Sequence, residues 1–521
     1  MPTLASALMV GLLSAGTSVV GAPVAHAAGK SATVDKDWKV PRLALMPLGD
    51  SITWGAGSSA LNGYRPELRD RLVAHAGDVN FVGSQETNGV HHEGHSGWQI
   101  DDLADNIDDW LAESRPNVVL LNIGTNDIDT DDDVEGAPRR LDDLVSRITS
   151  AAPDMTVLVS SLVPNKDAQA QKRVQRYNAE IPGIVARQQA KGAHVDYVDM
   201  GEVTVQDLHD WLHPNDAGFV KMAKAYYEGI TRAAGNGWIR ESVDVRPAPP
   251  HKAPLGDYRV DIDGDGKDDY LVVGGDGSVK AWVNNGGDGR GDWKNRGVIA
   301  SGGASGSRVR FADINGDGKA DYLVVGRNGS VRAFVNKGGG VRDDWEKYGL
   351  IATGAGPIEK VRFADVNGDG RADYLVVEDD GSVRAWLNNG AGDHDRGWTG
   401  VGQIISGVGA PGGRVRFADI NGDGKADYLV VGDQGAVRAL VNNGGDGHGG
   451  WIDRGQIATG AGPIDKVRFA DIDGDRKADY LVVEDDGSVR AWRNNGADGR
   501  DDWTNYGRIA SGAGPGYRVR I

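Results

Sequence analysis

One unit of this chain is written five times. Asp261, Asp313, Asp365, Asp419 and Asp471 each open the same acidic loop, at intervals of 52, 52, 54 and 52 residues. A unit of that length buries a hydrophobic face only by stacking on its copies. Each copy continues into an Asp-Tyr-Leu-Val-Val strand, a glycine turn, a second strand such as 278–284, and a tryptophan that leads to another short strand such as 297–300. With the strand ahead of the loop there are four short strands per copy, the signature of propeller blades. A right-handed β-solenoid is the competing arrangement. The ends favour a ring: Tyr258-Arg259-Val260 stands where later copies have Val-Arg-Phe-Ala, and Arg518-Val519-Arg520-Ile521 is followed by no sixth loop. That last strand is expected to pair with the first blade.

The loops carry their own chemistry. In Asp261-Ile262-Asp263-Gly264-Asp265-Gly266-Lys267-Asp268-Asp269 carboxylates stand at positions 1, 3, 5 and 9, with glycine at 6. Oxygen ligands at alternate positions of a tight loop wrap a hard cation, and their number favours Ca²⁺ over Mg²⁺. Position 12 is Val272 rather than glutamate and strands flank the loop, so it is not an EF-hand. The ligand set Asp261, Asp263, Asp265 and Asp269 recurs as Asp313, Asn315, Asp317 and Asp321, as Asp365, Asn367, Asp369 and Asp373, as Asp419, Asn421, Asp423 and Asp427, and as Asp471, Asp473, Asp475 and Asp479. The fifth loop has Arg476 at the glycine position and is the weakest expected site. The repeats, over 257–521, resemble FG-GAP/VCBS-type calcium-binding repeats. Trp293, Trp345, Trp398, Trp451 and Trp503 recur at one offset and read either as core between blades or as sugar-stacking platforms. Trp282, Phe334, Trp386, Leu440 and Trp492 interchange at another, as packing positions do.

The first half reads differently. Most of the 78 glycines fall after about residue 255, whereas from Leu43 to about Gly235 short apolar runs at 43–48, 79–82, 118–123, 156–162 and 195–200 alternate with amphipathic helical patterns. This alternation predicts a parallel sheet with helices on both faces. Residues 1–27 read as a secretory signal peptide, apolar from Leu4 to Val24 with Ala25-His26-Ala27 as cleavage site, though no Lys or Arg precedes the apolar run; a membrane anchor is the alternative. Residues 42–238 then form the α/β domain, 239–256 a proline-rich linker and 257–521 the repeats. The chain has no cysteine, so no disulfide supports it, and its formal charge of −18 argues against nucleic acid or an anionic membrane as partner.

Within the α/β region, Leu43–Leu48 runs straight into Gly49-Asp50-Ser51. A serine there stands at the carboxyl edge of a parallel sheet, where such folds place their ligand sites. It needs a base and an acid to orient the base. Asp207-Leu208-His209-Asp210-Trp211-Leu212-His213 supplies both, with His213 as base and Asp210 as its partner. Gly97 in His95-Ser96-Gly97-Trp98, Asn126 in Ile123-Gly124-Thr125-Asn126-Asp127 and the N–H of Ser51 are the candidate oxyanion donors. His91, Glu93 and His95 lack the spacing of a helical zinc site.

These four blocks, in this order, resemble the SGNH (GDSL) hydrolase family. The resemblance implies a three-layer α/β, flavodoxin-like fold, an acyl-enzyme mechanism with no cofactor, and the roles just given to Ser51, Gly97, Asn126, Asp210 and His213. The stretches 63–68, 81–85, 92–98 and 177–182 look like the carbohydrate esterase branch that includes acetyl xylan esterases. The expected activity is therefore deacylation of an exported enzyme's polysaccharide substrate, with a general carboxylesterase or lipase as the alternative. The repeats are expected to bind Ca²⁺ and to serve as an accessory domain, gripping cell-wall or plant polysaccharide; an adhesion protein built around them is the rival reading.

Overall fold

A computed structural model describes residues 37–129, 134–249, 252–286, 292–338, 344–390, 397–444, 450–496 and 502–521. The leader read at 1–27 lies outside the described residues. Among those residues no helix is long and apolar enough to cross a membrane.

The first domain alternates strand and helix: β1 (Val40–Gly49), α1 (Ser51–Trp54), α2 (Arg65–Leu72), β2 (Ala76–Phe81), β3 (Gln85–Thr87), β4 (Val90–Gly94), α3 (Ile100–Ser114), β5 (Val118–Asn122), α4 (Thr125–Asp129), α5 (Ala137–Ala151), β6 (Thr156–Ser160), α6 (Ala168–Ala190), β7 (Val195–Val198) and α7 (Asp216–Gly235). The parallel strands run β2-β1-β5-β6-β7, the 2-1-3-4-5 order of flavodoxin-like folds. β1 is long enough to pair along one edge with β2 at Val40–Leu45 and then with β4 at Leu48 and Gly49. β5 and β6 are buried at every residue, as a strand covered on both faces must be. Alternate side chains of β1 sort into two cores. Leu43 and Leu45 face Leu68 and Leu72 of α2 and Phe219, Met222 and Tyr226 of α7. Met46 and Leu48 face α3, α5 and α6. Three layers result, and the order reverses between β1 and β5, the switch point at which such sheets bind ligands.

The repeats close into a five-bladed propeller of four-stranded antiparallel sheets. In the second blade the strands are Val309–Ala312, Asp321–Val325, Val331–Asn336 and Trp345–Ala352. The ring is sealed as expected: Val519–Arg520 pairs antiparallel with Tyr270–Val273 of the first blade. A solenoid has no such pairing of last strand with first.

Each seam between blades is fastened by the same side chains. The recurring tryptophans donate Nε1–H to a backbone carbonyl of the preceding blade, Trp345 to Ile299 at 2.8 Å and Trp293 to Ile509 at 2.7 Å. Tyr322 Oη donates to the Gly277 carbonyl at 3.0 Å and Asn336 Nδ2 to that of Ile262 at 2.8 Å. These tryptophans therefore close the seams, the first of their two expected roles, while each keeps part of its ring exposed.

The two domains are in contact. Residues after α7 do not hang free: Val243 is buried in the α3–α5–α6 core, and Arg246 N–H donates to the Ala151 carbonyl at 2.8 Å. Leu255 and Asp257 then enter the propeller's centre, the carbonyl of one accepting from Arg310 at 2.6 Å and the carboxylate of the other pairing with Arg520 at 3.2 Å. Across the interface, Asp102 of α3 meets Arg308 at 3.2 Å, both side chains buried, and accepts the Ser305 N–H at 3.0 Å. Arg327 reaches Asp105 at 2.7 Å and Asp101 at 3.4 Å.

Candidate active site

β1 ends at Gly49, and Asp50 caps the turn that follows by accepting the Ile52 N–H at 2.9 Å. Ser51 is thus the first residue of α1, and its N–H belongs to the set that a helix leaves without an internal acceptor. Its hydroxyl therefore stands at both the switch point and a helix N-terminus. Arg65, fully buried, pins the end of this short helix by donating to the carbonyls of Thr53 and Trp54. Burial also lowers its guanidinium to about 10.

The loop between β7 and α7 delivers the imidazole. Its strands clip together through Leu208 and Pro214, with His209 N–H donating to the His213 carbonyl at 2.8 Å. Inside this clip Asp210 Oδ1 accepts the N–H groups of Leu212 and His213, each at 2.7 Å. Its Oδ2 stands 2.7 Å from His213 Nδ1, and His213 Nε2 stands 2.9 Å from Ser51 Oγ. Partial burial of Asp210 works against its charge, but the bonds from the His213 ring and from the two N–H groups prevail and hold the carboxyl at about 2. A carboxylate only accepts, so Nδ1 carries the proton and the lone pair of Nε2 faces the serine hydroxyl. Gly57, at φ 90°, lets the Ser51 and His213 segments meet: a Cβ there would lie 2.5 Å from the Pro214 carbonyl and 3.0 Å from the His213 Cβ.

The third segment is the turn after β4. Trp98 N–H closes it onto the His95 carbonyl at 3.2 Å, with Gly97 at φ 82° in its third place, where type II turns demand glycine. The side on which a Cβ would sit is open space. Beneath the turn, His95, Trp98 and Trp110 cluster, with the imidazole 4.1 and 4.8 Å from the two indoles, and His95 Nε2 meets buried Glu93 at 2.9 Å. His95 N–H in turn bonds the Gly49 carbonyl at 2.9 Å, tying the turn to the end of β1. Asn126, at the start of α4, donates Nδ2–H to the Trp98 carbonyl at 2.8 Å, which orients the same amide group. Glu93 and His95 are thus engaged with each other and the turn, and no metal cluster includes them among the described residues.

Residues 48–220 match the GDSL-like lipase/acylhydrolase family. The first domain belongs to it. In the rest of the chain FG-GAP-like repeats match at 261–324, 313–376, 365–430 and 419–482. A Ruminococcus flavefaciens protein named multidomain esterase is 26% identical over 262 residues, which is 43% of this chain and 33% of that protein. An Acetivibrio thermocellus protein carrying an endoglucanase X name is 33% identical over 133 residues, 25% of this chain and 56% of that one. This chain therefore spans only part of either relative's length. A solved Clostridium thermocellum family 3 carbohydrate esterase is 33% identical, with 37% of this chain and 98% of that chain covered and a TM-score of 0.33.

The GDSL-like domain uses residues that its motifs do not advertise. Gly57, Arg65 and Glu93 touch no reacting atom, yet they hold the serine helix, the histidine clip and the Gly97 turn in register. Asp50 and Asp127 act as braces: Asp127 accepts the Ile100 N–H at 3.1 Å and pairs with Arg140 at 3.0 Å.

In the FG-GAP-like repeats, Asp261, Asp263 and Asp265 gather ligand oxygens within 4.8 Å of one another, and so do Asp471, Asp473 and Asp479. Oδ1 of Asp263 is buried without a hydrogen-bond partner among the described residues, a group suited to a cation. The first carboxylate of the loop also organises its backbone, Asp261 accepting from Gly264 and Gly266, both at 2.7 Å. Asp313, Asp365 and Asp419 do the same in the middle loops, where Asn315, Asn367 and Asn421 replace one charge. Asp317, Asp369 and Asp423 sit beside them on the exposed turn, and Asp321, Asp373 and Asp427 are fully buried. The fifth loop has Arg476 in place of the glycine. Arg476 adopts φ 70° and donates its N–H to Asp471 at 2.8 Å, as Gly266 does to Asp261, so the loop keeps its shape. Arg493 pairs there with Asp473 and, at 3.3 Å, with Asp475.

Proposed function

We propose that this protein is an exported esterase that removes acetyl groups from a polysaccharide of the xylan type, with Ca²⁺ holding the loops of its propeller. The reading is carried by the unbroken line from Asp210 through His213 to Ser51 Oγ, with spacings of 2.7 and 2.9 Å. His213 Nε2 takes the hydroxyl proton as Oγ attacks the ester carbonyl. The negative oxygen of the tetrahedral adduct is met by the N–H of Ser51, the N–H of Gly97 and the amide of Asn126, and each such donor contributes about 3 kcal/mol to the transition state. His213 then gives the proton to the sugar oxygen as its bond to the acyl carbon breaks, and the acetyl group stays on Ser51 Oγ. Water, deprotonated by the same imidazole, releases the acid and restores the serine.

The esterase name of the Ruminococcus relative supports ester hydrolysis, and the likeness of stretches 63–68, 81–85, 92–98 and 177–182 to the carbohydrate esterase branch favours a carbohydrate ester over a long-chain lipid ester. Calcium suits the acidic loops because their donors are hard oxygens on short, closely spaced side chains. Export rests on the Ala25-His26-Ala27 pattern behind an apolar stretch.

The test is acetate release from acetylated xylan by protein collected from the culture medium, set against hydrolysis of long-chain esters. Acetate release is expected to dominate and to fall by roughly a millionfold in Ser51→Ala. A preference for the long chain, or full activity in Ser51→Ala, would overturn the reading.

A further inference from the structure

A cleft of about 340 Å³ lies where the propeller meets the hydrolase, with Gly97 and Gln99 on one wall and Tyr322, Arg332, Phe334 and Trp345 on the other. Its size is that of a small-molecule site, and domain boundaries are where such sites concentrate. The cleft starts at the Gly97 turn and does not include Ser51 or His213. It therefore adjoins the reacting ester without holding it.

The propeller wall has the chemistry of a sugar platform. Phe334 and Trp345 are half-buried and stand edge-on around Tyr322, at 5.8 and 5.9 Å. Their remaining exposed surface can take the C–H face of a pyranose ring, while Arg332 and the backbone around Ser301–Gly303 offer polar groups to hydroxyls. The one carboxylate on the lining, Asp102, is buried and engaged with Arg308 and Ser305, so the cleft selects a neutral, hydroxyl-rich ligand rather than a cation.

The adjacent seam supplies a comparison within the same molecule. A groove of about 310 Å³ lies there between Tyr374, Trp386 and Trp398, with no hydrolase residue on its lining. Beside that groove Arg384 lies over Trp386 at 5.3 Å and is tied to Glu378 at 2.8 Å. The blade that faces the hydrolase has Phe334 and Gly326 in place of Trp386 and Glu378. Such grooves recur at blade seams, and the buried Asp102–Arg308 contact sets the Gly97 turn across this one.

We propose that this interdomain cleft is a glycan subsite, holding the backbone of an acylated polysaccharide next to the sugar whose ester Ser51 attacks. The propeller then forms part of the substrate site itself. The proposal rests on the polysaccharide esterase reading, and its test separates the two. Calorimetry of the full chain carrying Ser51→Ala is run with xylohexaose, which has no ester, and repeated with Phe334→Ala or Phe334→Trp added. Xylohexaose is expected to bind, with Phe334→Ala weakening binding by about tenfold by removing a stacking face and Phe334→Trp tightening it by offering a larger one. Arg384→Ala, beside the neighbouring groove, is the control and should bind as the parent does. In the active chain, Phe334→Ala is expected to raise KM for acetylated xylan by about tenfold relative to KM for p-nitrophenyl acetate. Unaltered melting temperatures show that the variants fold, and Phe334→Trp keeps the test valid if Phe334→Ala does not. Absence of xylohexaose binding, or binding indifferent to both Phe334 changes, overturns the subsite. Absence of acetate release from xylan alongside intact xylohexaose binding overturns the esterase reading and leaves the cleft standing.

Discussion

At the scale of single residues, the site works through carboxyl groups displaced in opposite directions. Asp210 lies below its ordinary 3.8, at about 2. A lowered group keeps its contribution at every pH above its ordinary value and loses it only as pH falls through the folded value. The contact that fixes the tautomer of His213 therefore persists across the whole neutral and mildly acidic range. Asp50, beneath the serine turn, is pushed up by burial to about 6; a raised carboxyl favours the fold most below its ordinary value, and that contribution is lost as pH rises through about 6. Asp210→Asn removes the acceptor that keeps the proton on Nδ1, and kcat on a short acetate ester is expected to fall by roughly ten-thousand-fold with the fold intact. Steady-state kinetics alongside circular dichroism checks this; a loss smaller than about tenfold would assign the orienting role to another acceptor. Ser51, Asp210 and His213 could be read from the sequence because nucleophile, acid and base each sit in a short motif with its own spacing. Gly57 and Arg65 could not be given their roles, since each acts on a segment that only folding brings near.

At the scale of elements, the repeat loops are stacked as well as repeated. The long side chain at position 7 of one loop lies against the position 4 glycine of the loop before it: Lys319 against Gly264, Arg371 against Gly316, and, closing the circle, Lys267 against Gly474. A cation in one loop therefore bears on the next. Chelation with EDTA is expected to shift the propeller's calorimetric transition to lower temperature, each site occupied at a hundredfold excess over Kd having supplied about 2.7 kcal/mol, while the GDSL-like domain's transition stays in place. A trace indifferent to chelator and to added Ca²⁺ would rule metal out of the loops. The blades were legible because their period repeats the same strands and turns, and β1, β5 and β6 because buried parallel strands carry unbroken apolar runs. The β3–β4 hairpin escaped notice: Gln85–Thr87 and Val90–Gly94 are short and polar, and pairing of β4 with β1 and of β3 with β4, not local pattern, makes them strands. Helix α2 was missed for a related reason, its sequence RPELRDRL being charged along most of its length.

At the scale of the whole molecule, sequence patterns inside each domain gave no sign that the domains grip each other. Asp102 and Arg308 are unremarkable as letters, and only the docked structure shows both buried at the interface. Arg308→Met leaves Asp102 without its countercharge and is expected to destabilise the interface by about 3 kcal/mol. Cleavage by a protease in the 239–256 segment, slow in the parent, should then become rapid, with the polymer-specific part of the activity falling and short-ester hydrolysis preserved. Equal protection of parent and variant would show that the interface is held without this pair.

The way the ring is sealed also sets a timetable. The first blade takes its innermost strand from Val519–Arg520, so it is begun at Tyr270–Val273 and completed only after the four blades between have been made. More than half of the chain's 521 residues follow Gly235, and at cellular elongation rates their synthesis occupies roughly 15–60 s. Through that interval the hydrolase fold has all its strands, whereas the first blade waits with an open edge, ready to accept any matching strand. Until Val519–Arg520 arrives, guarding that edge falls to the cell.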